Sequence, residues 1–190
     1  MRSPVFFSLV VLALLATACA EPVSPEPELL DDYPVYKAAL EDPLVKQHST
    51  RFVIEADARP YGETLTQATI TGLKPETRED LASRIKTLKL DSTKLQVSTT
   101  IELVPRSELD AMLSFTAGTE EEVWKRFGEK YPGANGYLWI SRVGYDKTQA
   151  QALVYISHFC GNFCGEGWAV MLSKTDGSWS VVDVQVVWTS

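Results

Sequence analysis

The last third of the chain is what most constrains the fold. Four runs rich in β-branched and aromatic residues occupy positions 136–144, 150–158, 167–173 and 179–189, with short connections between them. A parallel strand pair needs a crossover of about a dozen residues or more, so strands joined this closely pair antiparallel. Asp176-Gly177 separates the third run from the fourth, and Asp-Gly supplies the positive φ angles of a tight hairpin. The expectation is a four-strand antiparallel meander with one buried face.

Helical patterns precede it. Tyr36, Ala39, Leu40 and Leu44 form a stripe broken by Pro43, which predicts a helix to about Glu41 and then a turn. Residues 51–56, RFVIEA, read as a short strand ended by Pro60-Tyr61-Gly62. Leu81, Ile85 and Leu88 predict an amphipathic helix over 76–89. Residues 95–104 read as a strand stopped by Pro105, after which Ser107 can cap a short helix through Met112. Thr119 with Glu122 is a capping box opening a helix whose face carries Val123, Trp124, Phe127 and Tyr131. The predicted fold is α+β, with N-terminal helices packed on the C-terminal four-strand antiparallel meander. Val123, Trp124 and Phe127 are expected to meet Leu138, Ile140, Val154, Ile156 and Leu172.

The 190 residues suit one domain, and 45% hydrophobic content is too high for a disordered chain. There are 25 acids against 18 Lys+Arg, a net charge of −7. That balance argues against a nucleic-acid partner, which needs clustered cations, and against electrostatic docking on anionic lipid. At the N-terminus, Arg2 precedes an apolar run over 5–16. The run suits a secretory signal and is shorter than the roughly 20 residues of a membrane span. Thr17-Ala18-Cys19-Ala20 follows and resembles the lipobox of bacterial lipoproteins, with Ala16 standing where Leu is usual. The resemblance implies a signal peptide over 1–18, lipidation of Cys19 and a bilayer partner reached through that lipid. In a Gram-negative host it implies the outer membrane. Cleavage after Ala18 or Ala20 by ordinary signal processing is the alternative and gives a secreted protein. Residues 19–32, rich in Pro and Glu, then form a tether, and 33–190 a single globular domain.

Cys19, Cys160 and Cys164 are the three cysteines. With Cys19 assigned to lipid, Cys160 and Cys164 remain as a pair that an exporting compartment can oxidise to a disulfide. They lie in His158-Phe159-Cys160-Gly161-Asn162-Phe163-Cys164-Gly165-Glu166-Gly167, read as a Gly-rich loop between two strands. The alternative for this loop is a soft-metal or redox site using His158, Cys160 and Cys164 with Glu166 near.

The C-terminal sixty residues resemble a group of bacterial exported proteins without an assigned activity. The resemblance rests on Tyr131-Pro132-Gly133, Ser141-Arg142-Val143-Gly144-Tyr145-Asp146, Gln151-Ala152-Leu153-Val154-Tyr155, the Cys160–Gly167 stretch, Lys174 to Trp179, and Trp188-Thr189-Ser190. It implies a single domain ending at Ser190 and brings no cofactor or catalytic residue with it. His158, Glu166 and Arg142 are the candidate functional residues. Arg142 and Asp146 read as an ion pair or turn anchors, Glu55 and Asp57 as acids on a solvated strand edge, and Trp168, Trp179 and Trp188 as a candidate aromatic patch. Ser141 and a histidine, His48 or His158, make a weak triad candidate. The expected function is that of an envelope lipoprotein acting as a non-enzymatic binding or interaction domain. A metal, redox or hydrolytic protein using the Cys loop is the alternative.

Overall fold

The computed structural model describes residues 31–46, 49–61, 69–114, 116, 118–161 and 163–190. Cys19, His48 and the tether up to position 30 lie outside them. Residues Asp31–Ser190 form one compact unit.

The meander expectation is overturned. The central element is a seven-stranded mixed sheet with parallel pairs. Its order is β4 (Thr100–Val104), β1 (Arg51–Glu55), β5 (Tyr137–Ile140), β7 (Gln151–Gly161), β8 (Cys164–Thr175) and β9 (Ser178–Thr189), with β6 (Gly144–Tyr145) also on β7. β1 runs parallel to both β4 and β5, while β5, β7, β8 and β9 alternate antiparallel. β2 (Asp57–Ala58) and β3 (Leu88–Lys89) form a separate antiparallel pair. The parallel strands follow from connection length. The chain from Val104 to Tyr137 carries α4 (Arg106–Leu113) and α5 (Glu120–Lys130), long enough for a crossover. Four of the five β1 residues are buried, as a strand covered on both faces requires.

Strand register divides the sheet into two faces. Ala152, Val154 and Ile156 of β7 stand opposite Leu172, Val170 and Trp168 of β8 on one face, and all six are buried. α1 (Tyr33–Leu40) lies against these strands and contributes buried Val35, Tyr36, Ala39 and Leu40. Pro43 does break the helix, and α2 (Pro43–Lys46) is a separate turn of helix.

The opposite face carries two clusters. At one end Phe127 and Tyr131 of α5 and Leu109 of α4 pack on Val53 and Val104. At the other, Leu81 of α3 (Pro75–Ser83) and Ile70 pack with Leu153, Ala169 and Met171. The expected packing of the Trp124 helix is thereby corrected. α5 covers the parallel strands, Trp124 is only half-buried against that cluster, and Leu138, Ile140, Val154, Ile156 and Leu172 fall on the α1 face by strand alternation.

Local signals fared unevenly. Thr119 and Glu122 form the reciprocal capping box, and Asp176 and Gly177 take φ of 49° and 80° at the hairpin. α3 stops at Ser83, so Ile85 is 78% exposed and Leu88 sits in β3. Ser107 lies inside α4, whose N-cap is Pro105 with no side-chain cap. β4 begins only at Thr100.

Candidate functional site

One row of the sheet crosses the face opposite α1. Val104 pairs with Glu55, and Trp139 stands one step beyond the Ile54–Leu138 pair. Trp139 pairs with Ser157, Ser157 with Gly167, and Gly167 with Trp188. Between the two clusters this row floors an open groove of about 430 Å³. Tyr61, Tyr137, Trp139, Tyr155, Phe159 and Trp188 supply its aromatic lining, and Arg59 and Arg106 its only charged lining among the described residues. The size falls within the roughly 300–1,000 Å³ of small-molecule sites.

The aromatic floor is held by its own contacts. Tyr137 and Phe159 stack at 5.1 Å, and Phe159 meets Trp188 at 5.5 Å. Tyr61 approaches Tyr155 to 4.4 Å, and Trp139 lies edge-on to Tyr155 at 5.3 Å. The Trp188 indole donates to the Tyr155 hydroxyl oxygen, which also accepts from Ser157 Oγ at 2.8 Å. This bond needs Gly167: a Cβ there would stand 2.3 Å from the Tyr155 hydroxyl and 2.1 Å from the indole nitrogen.

The charged end is built around Glu55. Its carboxylate is fully buried at the C-terminal end of β1. Arg59 contacts it at 2.8 and 3.0 Å, and Arg106, at the start of α4, donates to it at 3.3 Å. Arg106 Nε also donates to Asp110 at 2.6 Å. The Arg59 guanidinium lies 5.1 Å from the Trp139 ring centre. Burial pushes the Glu55 carboxyl above its ordinary range, against the pull of the two guanidiniums. The solvated strand edge expected for Glu55 is thus corrected, because parallel strands cover β1 on both sides. Asp57 lies instead in the small β2–β3 pair.

The candidate residues read from the sequence are scattered. Cys160 and Cys164 are at disulfide distance, with Cα atoms 5.0 Å apart. The stretch around them is a tight hairpin between β7 and β8, not a broad loop, and Phe163 at its tip is 91% exposed. His158 and Glu166 are register partners within these strands. His158 faces away from the groove, with Nε2 against the Asn135 carbonyl and its ring stacked on Trp168. Among the described residues no group of three or more His, Cys, Asp or Glu is placed to hold a metal ion.

Arg142 is buried and pairs with Asp32 at 3.1 Å, not with Asp146, and its Nη1 donates to the Lys86 carbonyl. Tyr145 and Tyr36 donate to the same Asp32 carboxylate at 3.1 and 3.4 Å, tying the start of α1 to the sheet. Burial pushes the Asp32 carboxyl up, and Arg142 opposes that. Asp146 instead pairs with Lys74 and accepts from the backbone N–H groups of Ala150 and Gln151 at 2.8 and 2.9 Å. The Ser141 hydroxyl donates to the Arg142 carbonyl at 2.6 Å and accepts from the Tyr155 N–H at 2.9 Å, a backbone staple.

The three tryptophans do not share a patch. Trp168 is buried on the α1 face, Trp179 meets Tyr145, and only Trp188 joins the groove. Sequence reasoning missed Glu55, Arg59, Arg106, Trp139 and Tyr155 as a set. One signal was present: a single carboxylate in the apolar run RFVIE, which burial makes expensive without cationic partners.

The fold and site together define a mixed-sheet α/β domain with an open aromatic groove on one sheet face. Comparison with protein-family models, curated proteins and solved structures finds no match to this chain.

Proposed function

We propose that the protein is an exported, lipid-anchored binding domain whose site is the aromatic groove beside Glu55. The observation that carries this is the groove's lining: six aromatic side chains and two guanidiniums over a rigid sheet. Concave, mostly apolar sites with a few placed polar groups are the usual form of small-molecule sites. The serine hydroxyl in the lining, Ser157, is bonded to Tyr155, which favours binding over nucleophilic chemistry. Anchoring rests on the apolar leader and the small residues before Cys19. Two acyl chains on one residue suffice for stable attachment where a single chain is marginal.

The test of binding is a thermal-shift screen of the full chain in mild detergent. The ligand classes are saccharides, short peptides, nucleotides and fatty acids. At least one class should raise Tm in the native protein and fail to do so in Trp139→Ala, since a ligand that binds only the folded state stabilises it. No shift from any class, or an equal shift in the variant, overturns the groove as the site. The anchor is tested separately: Cys19→Ala should move the protein from the membrane to the soluble exported fraction, and continued membrane retention argues against lipid.

A further inference from the structure

The groove has two chemically different ends. At one, Arg59 and Arg106 are fixed by the buried Glu55 carboxylate beneath them. Each keeps a terminal nitrogen, Nη1 of Arg59 and Nη2 of Arg106, with no partner among the described residues. Asp110 holds only the Nε of Arg106 and lies out on α4. Two anchored forks with open donors match a carboxylate, which arginine takes bidentately. Past Tyr137 and Phe159 the floor continues into a second recess of about 180 Å³, where Glu120 and Trp124 line the wall.

Between the ends lies a floor of aromatic rings. Tyr137–Phe159 and Tyr61–Trp139 are inclined by 20° and 30°, Phe159–Trp188 by 38° and Trp139–Tyr155 by 61°. These rings pack on one another, with centroids 4.4 to 6.2 Å apart, so none of these pairs is spread to take a flat base between two faces. Ring faces set in succession suit the C–H faces of sugar rings. The Trp139 indole N–H, in a ring that lines the groove, is a buried donor with no partner among the described residues. The net charge of −7 disfavours a polyanion and leaves room for one negative group at the arginine end.

Resting on the groove as the binding site, we infer that its ligand is a short oligosaccharide carrying one carboxylate, with the carboxylate on Arg59 and Arg106 and the neutral sugars along the aromatic floor. A uronate-bearing surface glycan and a muramyl sugar share this chemistry.

The experiment is calorimetric titration of the full chain in mild detergent with three probes. The first is a trisaccharide ending in one glucuronate, the second the same trisaccharide with that carboxylate reduced to the alcohol, and the third a muramyl disaccharide. One of the two acidic probes should bind at least about tenfold more tightly than the reduced sugar, the usual scale for a charge-assisted fork. Which of them does so identifies the source. Arg106→Gln should erase that preference. Arg106→Lys keeps the charge beside Glu55 and should erase most of it, so the preference remains testable if Arg106→Gln does not fold. Equal affinity for acidic and reduced sugars overturns the inference. So does binding of no sugar when another class shifts Tm through Trp139, and in that case the binding role stands. If no class shifts Tm, both fall.

Discussion

Trp188 lies across Gly167 with its indole N–H bonded to the Tyr155 hydroxyl, and any side chain at position 167 would occupy that seat. Gly167→Ala should therefore destabilise by about 1–3 kcal/mol, the usual cost of overpacking, and should also displace Trp188 from the groove. Denaturant unfolding reads the first effect, and a shifted tryptophan emission the second. An unchanged midpoint and spectrum would refute the seat.

Phe127 and Trp124 share one helix but differ in burial. Phe127→Ala should cost about 3–5 kcal/mol, because Phe127 is fully buried against Val53, Val104 and Tyr131. Trp124→Ala should cost clearly less, because Trp124 is only half-buried against that cluster. Thermal melts of the two variants would decide, and a larger loss for Trp124→Ala would contradict the placement of α5 over the parallel strands.

Asp146 sets an acid limit on stability. Burial raises its pKa, but hydrogen bonds from Lys74, Thr148 and the backbone N–H groups of Gln151 and Ala150 outweigh this and hold the carboxyl well below its ordinary 3.8. A carboxyl depressed in the folded state adds stability that is present above its unfolded value and fades as pH falls below it. Tm of the native protein should fall between about pH 4 and pH 2. Asp146→Asn should start lower and decline less over that interval. Parallel declines would remove Asp146 from the account.

The Cys160–Cys164 bridge closes a very short ring at a hairpin tip, so it removes little chain entropy. Replacing both residues with Ala should cost at most about 2 kcal/mol and leave the sheet intact. Under non-reducing conditions a single peptide should carry both cysteines, two hydrogens lighter than the dithiol. Ready alkylation of both thiols without reductant would exclude the bridge.

The hairpin at 176–177 was legible because it depends on local information, while the four-strand meander read from the same third of the chain was not the sheet that forms. Asp176-Gly177 dictates its own turn, and alternation along 151–158 names two faces without saying what covers either. The parallel half was not legible in the same way. RFVIE reads equally as an edge strand or a central one, and only the partners supplied by 100–104 and 137–140 decide between them. The groove was less legible still. Its lining residues come from five separate stretches of chain, and they meet only once the order β4-β1-β5-β7-β8-β9 is known. His158 misled for the opposite reason: its neighbourhood in sequence, between Ser157 and the cysteines, is rich in reactive side chains, yet alternation sends it to the other face.

That alternation makes β7 a partition with a different duty on each side. Ala152, Val154 and Ile156 hold the domain together, while Tyr155, Ser157 and Phe159 furnish the groove. Of the odd positions, Leu153 and Tyr155 are themselves packed core and Ser157 is bonded to Tyr155, so the half-buried Phe159 is where the groove side can vary while the even positions keep the fold. A single inserted or deleted residue between 152 and 159 has no such freedom. It exchanges the two sides, turning tyrosine and serine toward the α1 face and presenting valine and isoleucine to the groove.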